Sequence, residues 1–481
     1  MKDCCSDKDG NRKGAGGSYD LIVIGAGSAG FSASITAADA GKRVALLGHG
    51  TIGGTCVNVG CVPSKAMIRA ADAIHAARTA SRFPGLSGDA RVDDWTRLVT
   101  AKDDLVAALR QKKYADLLPQ YENVDYIEEG AARLIKGGVQ VGERTIKAPS
   151  IIIATGSRPT LPPIAGIDTV ATLDSTGLLA LEEMPKSLIF IGGGYIGSEL
   201  ALMMARFSVE VTVVCRSRLL PEAEPEVSDA LTRSFKSEGI TMHCGITYNA
   251  CREDAQGVTV CVEKDGKPLE LTAQRLVVTT GRRANTDDMG LQEAGVSLDA
   301  RGSVIVGDDM QTTAPGIFGA GDVTNRDHFV YMAAYGAKLA AKNAVLGENN
   351  RYDNSAMPWV VFTDPQVAGV GLSEAAAIAA GHEVKTSLLP LDQVPRALAA
   401  RDTRGLIKLV ADKKTDRLLG GQIIAPEGSD SIQTLALALQ FGMTTKALGA
   451  TIFPYLTTVE GLKLAAQTFD MDVAKLSCCA G

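Results

Sequence analysis

Two pairs of cysteines are the residues of this chain best suited to chemistry. Cys56 and Cys61 stand five residues apart in GGTCVNVGCVPSK, and Cys478 and Cys479 are adjacent near the end of the sequence. Thiolates bind soft metal ions in preference to hard ones. A five-residue offset also lets two sulfurs close a small disulfide loop that can be opened and remade. The pattern predicts that one pair stores electrons while the other holds a substrate.

Composition predicts a multidomain protein with small-molecule partners. The 481 residues are too many for one compact core and indicate about three domains. The formal net charge is -6 with acids and bases interspersed, which does not favour nucleic acid. The five histidines lack metal-ligand spacing. Because the chain shows neither an apolar run long enough for a bilayer nor a signal-peptide core, we expect a cytoplasmic protein that does not bind a membrane.

Two glycine-rich turns predict two dinucleotide sites. Each follows a short apolar strand and opens a helix that leads to a second strand, in YDLIVIGAGSAGFSASITAADAGKRVALL and SLIFIGGGYIGSELALMMARFSVEVTVV. The first glycine permits the tight turn, the second lets backbone approach the pyrophosphate, and the third allows close helix packing. Purely structural turns are the alternative, which the matched contexts disfavour. The glycines are Gly25, Gly27 and Gly30 in the first copy and Gly192, Gly194 and Gly197 in the second.

Further blocks resemble the flavoprotein pyridine nucleotide-disulfide oxidoreductases over nearly the whole chain. Residues 53–65 reproduce the family's GGTCxNxGCxPSK, the strand SIIIATGSRP ends at Thr155 and Gly156, and GIFGAGDVT contains Asp322. The resemblance implies FAD on the first glycine turn and a nicotinamide cofactor on the second. It also implies that electrons pass from nicotinamide through flavin to the spaced cysteine pair.

The same resemblance assigns roles to individual side chains. It makes Cys61 the flavin-facing thiolate, a form that a helix start and a nearby cation favour, and Cys56 the outward, interchange sulfur. Lys65 is expected to pair with Glu199 where flavin and nicotinamide meet, with a plain surface ion pair as the alternative. Tyr195 is expected to cover the nicotinamide pocket, with a packed core tyrosine as the alternative. Besides the first three glycines, the expected FAD positions are Gly50, Thr55, Lys65, Ala131, Thr155, Gly156, Asp322 and Val330.

Both glycine-turn units depart from the usual pattern at the end of their second strand. An acid commonly binds the ribose there, but VALLGHG places Gly48 in the first unit, and FAD binding is expected to survive on the remaining contacts. In the second unit Cys215 takes that place and is followed by Arg216 and Arg218. Two guanidinium groups without an acid favour a 2′-phosphate, and therefore NADPH over NADH. A solvated strand end is the alternative.

A C-terminal segment distinguishes branches of the family. Aligned on Glu460, FPYLTTVEGLKLAAQTF places Phe453 and Tyr455 where disulfide reductases carry the histidines of HxHPTxxE. Disulfide reduction needs an acid for the leaving thiolate, a task that suits histidine and that tyrosine does not fulfil. Reduction of Hg(II) to Hg(0) does not require that acid.

The segment through LSCCAG resembles the mercury(II)-reducing branch of the family. The resemblance implies a homodimer in which Cys478 and Cys479 of one subunit take Hg(II) from low-molecular-weight thiol complexes. They would then pass it to Cys56 and Cys61 of the other subunit, so that all four are mercury ligands. Tyr455 would lie near this inner site in a non-histidine role.

We therefore predict an α/β protein with two Rossmann-like dinucleotide-binding domains, glutathione reductase-like, and an α+β C-terminal dimerisation domain. The predicted boundaries are a disordered tail at 1–17, an FAD-binding domain at 18–156 and 284–354, an NAD(P)H-binding domain at 157–283, and an interface domain at 355–481.

Three functions fit this organisation. The first is an NADPH-dependent, FAD-containing mercury(II) reductase for mercury detoxification. The second is a disulfide reductase of the thioredoxin or glutathione type that uses the terminal pair as a relay. The third is a protein that sequesters Hg(II) without turnover, which the intact nucleotide motifs disfavour. No role is assigned to Cys4 and Cys5, while Cys244, Cys251 and Cys261 are interpreted as buried small hydrophobes.

Overall fold

The computed structural model describes residues 18–473. The predictions for the tail 1–17 and for Cys478 and Cys479 lie outside these residues. The described chain divides into two compact units. The first contains the residues up to Asn58, Ala107–Arg158 and Arg283–Tyr352, and the second contains Val59–Val106, Pro159–Arg282 and the chain from Asp353. Within 18–473, no helix is long and apolar enough to cross a membrane.

The first unit is built on a five-stranded parallel sheet. Its central strand, LIVI at Leu21–Ile24, is buried throughout, as expected for a parallel strand covered on both faces. Helix Ser28–Asp39 leaves this strand through the first glycine turn. In spatial order the strands are Ile317–Gly319, Ser150–Ile153, Leu21–Ile24, Val44–Leu47 and Val124–Ile127.

Smaller elements complete this unit. Helix Val330–Leu346 packs against helix Ser28–Asp39. The others are the antiparallel strands Ala132–Ile135, Gly138–Val141 and Arg144–Ile146, the paired strands Ser157–Pro159 and Arg282–Ala284, helix Gly54–Asn58, and the short helical turns Gln111–Ala115, Leu118–Gln120 and Gly321–Thr324.

The second unit repeats the same nucleotide-binding pattern. Its parallel sheet is centred on Ser187–Ile191, from which the second glycine turn leads into helix Tyr195–Arg206. The sheet order is Thr241–Cys244, Glu210–Cys215, Ser187–Ile191, Arg275–Val278 and Thr172–Leu173, and three antiparallel strands follow at Ile246–Asp254, Gly257–Lys264 and Lys267–Ala273. The accompanying helices are Cys61–Arg78, Trp95–Arg110, Ser175–Leu179 and Pro225–Ser237, with a short turn at Ala80–Arg82. Helix Trp95–Arg110 continues past the boundary of the unit at Val106.

The C-terminal part of the second unit is an antiparallel sheet with helices. Strands Leu406–Asp412 and Leu418–Ala425 pair in this sheet, and the apolar helix Gly428–Gln440 follows them. The sheet order is Pro358–Val361, Gln366–Gly371, Leu418–Ala425, Leu406–Asp412 and Val384–Pro390. The other helices are Glu374–Ala379, Pro395–Ala400, Thr445–Ala450 and Glu460–Gln467, with a turn at Leu391–Gln393.

A buried arginine anchors the end of helix Tyr195–Arg206. The Arg206 side chain is only 3% exposed. Its guanidinium donates to Asp72 at 2.7 Å, to Glu238 at 2.8 Å and to Asp364 at 2.9 Å. Buried guanidinium groups need such partners because an unpaired buried charge is costly. The helix that carries Glu199 is thereby fixed at its C-terminal end.

Candidate redox and nucleotide-binding site

The first glycine turn has the backbone shape that a dinucleotide pyrophosphate requires. Gly25 has φ +116°, and a Cβ there would lie 2.3 Å from the carbonyl oxygen of Ala154. A Cβ on Gly30 would lie 1.7 Å from the Gly25 oxygen. Gly27 precedes helix Ser28–Asp39 and provides no side-chain cap, so the first helical N–H groups are open to an anion. The turn therefore fits FAD.

Three predicted flavin residues meet at the carboxyl ends of neighbouring strands. Thr155 donates from its hydroxyl to the carbonyl of Asn285 at 2.7 Å, and Gly156 follows with φ +70°. Asp322 lies in the helical turn after strand Ile317–Gly319 and accepts a hydrogen bond from Ser157 at 2.7 Å. Ligands of open α/β sheets bind at this edge. Thr155, Gly156 and Asp322 were predicted from the sequence as FAD residues and stay predictions, and Ser157 was not among them.

Four other predicted FAD positions lie on the surface of the first unit. Gly50, with φ +83°, Thr55 and Ala131 are exposed. Val330 begins helix Val330–Leu346, is 37% exposed, and lines with Ser28 a cavity of about 410 Å³. An FAD contact at each of these four positions remains a prediction.

A tyrosine fills the space beside Gly48 that the usual ribose-binding acid would take. Strands Val44–Leu47 and Val124–Ile127 are parallel neighbours, so Tyr126 and Gly48 face the same side. A Cβ on Gly48 would lie 2.3 Å from the Tyr126 hydroxyl oxygen. That buried oxygen does not meet the distance and angle of a hydrogen bond with any described residue. Burial and the nearby charge of Glu128 raise the pKa of Tyr126 to about 12, so the phenol is protonated at neutral pH.

Tyr126→Phe is expected to weaken FAD binding about two- to tenfold, the effect of one hydrogen bond of about 0.5–1.5 kcal/mol to the adenosine ribose. Removal of a buried, unpaired hydroxyl should at the same time leave the apoprotein as stable as before or slightly more stable. Titration of apoprotein with FAD, followed by flavin fluorescence, measures the first effect and thermal unfolding the second. Tyr121→Phe, on the preceding turn, is the matched control. Unchanged FAD affinity in Tyr126→Phe would exclude this contact.

Lys65 and Glu199 form the predicted ion pair in the second unit. Lys65 Nζ donates to Glu199 Oε2 at 2.5 Å, and the Glu199 side chain is 7% exposed. The other carboxylate oxygen accepts the backbone N–H of Phe362 at 2.9 Å. The Phe362 ring lies 4.8 Å from the ammonium nitrogen, within the range of a cation–π interaction. The carboxylate is buried and held from two sides, unlike the surface pair considered as the alternative.

The second glycine turn repeats the geometry of the first. Gly192 has φ +112°, and a Cβ on Gly197 would lie 2.4 Å from the Gly192 oxygen. Gly194 precedes helix Tyr195–Arg206 without a side-chain cap. The open N–H groups at this helix start again suit a pyrophosphate. The turn therefore fits a nicotinamide dinucleotide.

Tyr195, the first residue of that helix, stacks on an aromatic ring that the sequence did not indicate. Its ring lies 5.5 Å from that of Trp359 with an interplanar angle of 23°. Burial raises the pKa of Tyr195, so its phenol is neutral at physiological pH. The stack is compatible with both interpretations of this residue, and its role over the nicotinamide pocket remains a prediction.

The two predicted phosphate-binding arginines differ in their surroundings. Arg218 donates to the carbonyl oxygens of Pro221 at 3.1 Å and Ala223 at 2.7 Å, which orders its own loop. Arg216 is exposed directly after strand Glu210–Cys215. Arg216 is therefore the better placed of the two to meet a 2′-phosphate.

The predicted redox cysteines lie on two consecutive helices. Cys56 is in Gly54–Asn58, and Cys61 is the first residue of Cys61–Arg78; both are half-buried. Gly60 caps the second helix without a side chain, so the Cys61 sulfur lies where the helix dipole favours a thiolate.

In the C-terminal segment, Tyr455 is 56% exposed and Glu460 is buried.

Three aromatic residues of these sites were not found from the sequence. Phe362 and Trp359 lie in the segment MPWVVFTDP, in and next to strand Pro358–Val361, and Tyr126 lies on an edge strand. None belongs to a short motif, and each acts through packing that depends on the fold. The one signal that could have pointed to Tyr126 was Gly48, where the usual ribose-binding acid is absent.

Two models of one protein family together match most of this chain. The family model described as pyridine nucleotide-disulphide oxidoreductase matches residues 19–341, and the dimerisation-domain model of the same family matches residues 357–466. The chain belongs to the pyridine nucleotide-disulphide oxidoreductases. The predicted α/β fold class is thereby confirmed, as are FAD and NADPH, the cofactors with which this class of oxidoreductase works.

Individual relatives narrow the comparison. The chain is 45% identical to a mercuric reductase of Bacillus cereus over 96% of its own length and 73% of that protein. It is 44% identical to a mercuric reductase of Streptomyces lividans over 96% of its length and 98% of that protein. Among solved structures, the flavoprotein disulfide reductase RclA of Escherichia coli, in a Cu(II) complex, is 29% identical with a TM-score of 0.82, covering 94% of this chain and 99% of that one.

Proposed function

We propose that this chain is an NADPH-dependent, FAD-containing mercury(II) reductase that acts as a homodimer in the cytoplasm. The relatives named mercuric reductase support the substrate, since they match nearly the whole chain at 44–45% identity. The observation that carries the proposal is the combination of Lys65 paired with the buried carboxylate of Glu199 and an exposed Tyr455. The chain has the charge pair of an electron-transfer site without the histidine acid that a disulfide substrate needs.

In this proposal each part of the chain has a separate task. FAD, when bound, supplies hydride acceptance from NADPH and electron transfer to a disulfide. The two glycine turns hold the two pyrophosphates, and Arg216 selects the 2′-phosphate. Lys65, held by Glu199, keeps a fixed positive charge where negative charge develops during reduction. The disulfide between Cys56 and Cys61 accepts the two electrons and becomes a dithiol.

Hg(II) is passed between pairs of cysteine thiolates. Hg(II), delivered as low-molecular-weight thiol complexes, exchanges onto Cys478 and Cys479, because soft cations move between thiolates by ligand exchange. The terminal pair of one subunit then transfers Hg(II) to Cys56 and Cys61 of the other. Two electrons from the reduced site convert Hg(II) to Hg(0), which leaves as a neutral atom. Tyr455 orients or ligates the metal at the inner site.

A disulfide reductase that uses the terminal pair as a relay is the second candidate. The solved structure of a flavoprotein disulfide reductase with the same fold favours it. The missing histidine at positions 453 and 455 opposes it, because the leaving thiolate would lack its acid.

The parent enzyme is expected to oxidise NADPH only when Hg(II) is added, in the presence of excess small thiol, and to release mercury vapour. Cys478→Ala/Cys479→Ala should lose most of this activity under the same conditions, because mercury then has no delivery ligands. The loss of NADPH absorbance measures consumption of the reductant, and atomic absorption of the vapour measures the mercury released.

The chain supplies a matched control in its other adjacent pair. Cys4→Ala/Cys5→Ala removes two neighbouring thiols at the opposite terminus and should leave the rate unchanged. NADPH oxidation that depends on oxidised glutathione or thioredoxin instead of Hg(II) would replace the proposal with the relay mechanism. Mercury binding without NADPH oxidation would indicate a sequestering protein.

A further inference from the structure

Two cysteines outside the redox site lie in direct contact. Cys215 ends strand Glu210–Cys215 and Cys244 ends the neighbouring parallel strand Thr241–Cys244, where the two residues are register partners. Side chains paired in this way point to the same face of a sheet, with strands only about 4.8 Å apart. Their Sγ atoms are 3.1 Å apart, and both are free thiols. The 29-residue separation hides this pair from any sequence motif.

The pair lies beside the second glycine turn. A side-chain carbon at Gly193 would be 3.4 Å from the Cys215 sulfur, so this thiol borders the turn directly. Cys215 is also the position at which the usual ribose-binding acid is missing, and exposed Arg216 follows it. Cys215 is 5% exposed, whereas Cys244 is half-buried and gives access to the pair.

The two thiols differ in pKa. The hydrogen bond from Cys215 lowers the pKa of Cys244 to about 7, and Lys264 and Lys236 act in the same direction against burial. The same hydrogen bond and burial raise the pKa of Cys215. The thiolate of the pair therefore forms at the accessible Cys244, while the buried Cys215 keeps its proton. This is the form in which a cysteine pair accepts a soft cation.

Cys251 illustrates the simpler alternative of a buried, inert thiol. It lies in the apolar cluster of the same domain, and burial raises its pKa to about 11. Cys215 and Cys244 differ from it in mutual contact, in access and in charge. Interpretation of Cys244 as a buried small hydrophobe is therefore insufficient.

We propose that Cys215 and Cys244 form a two-sulfur site for a soft divalent cation such as Hg(II), and that metal bound there excludes NADPH. Two thiolates suffice for a soft cation that accepts linear coordination, which suits a chain whose described residues contain no cluster of three metal-ligating side chains. A linear site needs its sulfurs farther apart than 3.1 Å, so binding requires the Cys244 side chain to change rotamer.

The binding step involves no electron transfer. Two bonds from Hg(II) to its small-thiol ligands break as two bonds to Cys215 and Cys244 form. The proton of the Cys215 thiol passes to a departing thiolate, and mercury stays in the +2 state. The ion would occupy the edge where the adenosine ribose and its phosphate approach the turn, so that excess substrate metal lowers nucleotide affinity. The exclusion of NADPH rests on the proposed function, whereas the metal site itself does not.

The test uses the full-length, FAD-loaded, prereduced protein in a background that cannot reduce mercury. Six cysteines outside this pair are replaced by alanine in that background: Cys4, Cys5, Cys56, Cys61, Cys478 and Cys479. One equivalent of Hg(II) is added with a competing monothiol, the mixture is desalted, and bound mercury is counted by elemental analysis. The background protein should retain one mercury per chain. Further replacement Cys244→Ser should abolish retention, whereas the matched control Cys261→Ser should not.

A second measurement follows the nucleotide. Fluorescence titration should show that Hg(II) weakens NADP⁺ binding by at least about tenfold, as expected for mutually exclusive ligands, and that a chelating dithiol restores it. Retention of NADP⁺ binding by metal-free Cys244→Ser shows that this variant is folded. The proposed site is excluded if the Cys244→Ser variant still retains mercury, or if the background protein retains none. If the metal-free background fails to bind NADP⁺, the proposed function fails, and the mercury count still decides the site.

Discussion

Replacement of Lys65 by methionine is expected to slow reduction of the flavin by NADPH by about 10²–10³-fold, the usual effect of removing one preorganised electrostatic group. The ammonium is held by Glu199 at 2.5 Å and by the ring of Phe362. Methionine keeps the length and the apolar contact with the ring but removes the charge. The Glu199 carboxylate, 7% exposed, then lacks its counterion. Stopped-flow loss of oxidised flavin absorbance measures the step directly.

The matched control removes an exposed lysine–carboxylate pair from the same unit. Lys413 is 64% exposed and lies 3.4 Å from Glu383, and Lys413→Met should leave flavin reduction at the parental rate. Lys65→Arg should recover little, because a planar guanidinium does not occupy the place of a compact ammonium. An undiminished rate in Lys65→Met would mean that the pair is only structural.

Arg206→Met is expected to reduce the free energy of unfolding by about 3–5 kcal/mol, the usual cost of leaving buried charges without their partner. Three carboxylates, on Asp72, Glu238 and Asp364, converge on this guanidinium. Arg404, 3.2 Å from Glu238 and 3.4 Å from Asp364, would only partly offset their mutual repulsion in the variant. Urea denaturation followed by circular dichroism measures the loss. Arg252→Met, which removes an exposed pair with Glu270, should hardly move the midpoint.

The stability lost in Arg206→Met should diminish as the pH falls from about 8 to about 6. Burial, and then the charge of Arg206, lower the pKa of His75, which lies 3.3 Å from Glu238. Without Arg206 that pKa rises in the folded variant, so the folded state binds a proton more readily and is stabilised as the pH decreases. Burial also raises the pKa of Asp72, and loss of the Arg206 charge raises this pKa further. Proton binding by Asp72 therefore also stabilises the folded variant as the pH decreases. A stability loss that does not depend on pH would argue against the His75 contribution.

Local patterns predicted the parts of this molecule that local geometry determines. The two glycine turns need positive φ at Gly25 and Gly192 and close backbone packing at Gly30 and Gly197, and the structure has these features. The Lys65–Glu199 pair spans 134 residues, yet it was predicted because each partner belongs to a recognisable motif. Long-range contacts become predictable when both ends carry a signature.

Contacts without such signatures were not predictable from the chain. The pairing of Cys215 with Cys244 depends on the register of two parallel strands, which a single sequence does not reveal. The carboxylate partners of Arg206 come from three separate segments. Arg218 was predicted for phosphate binding, and only the loop geometry showed that it bonds its own backbone. Each of these features requires the tertiary fold before its chemistry is visible.

Gly48 and Tyr126 also restrict the order in which this sequence can change. Any side chain at position 48 would meet the phenol, since a Cβ there lies 2.3 Å from its oxygen and 2.6 Å from the ring. A single substitution that places an acid at position 48 therefore requires the tyrosine side chain to move. Shortening Tyr126 first opens the space but removes the hydroxyl that is predicted to bind the ribose. If Tyr126 binds the ribose as predicted, an exchange of this tyrosine for an acid at position 48 passes through an intermediate that binds flavin less tightly.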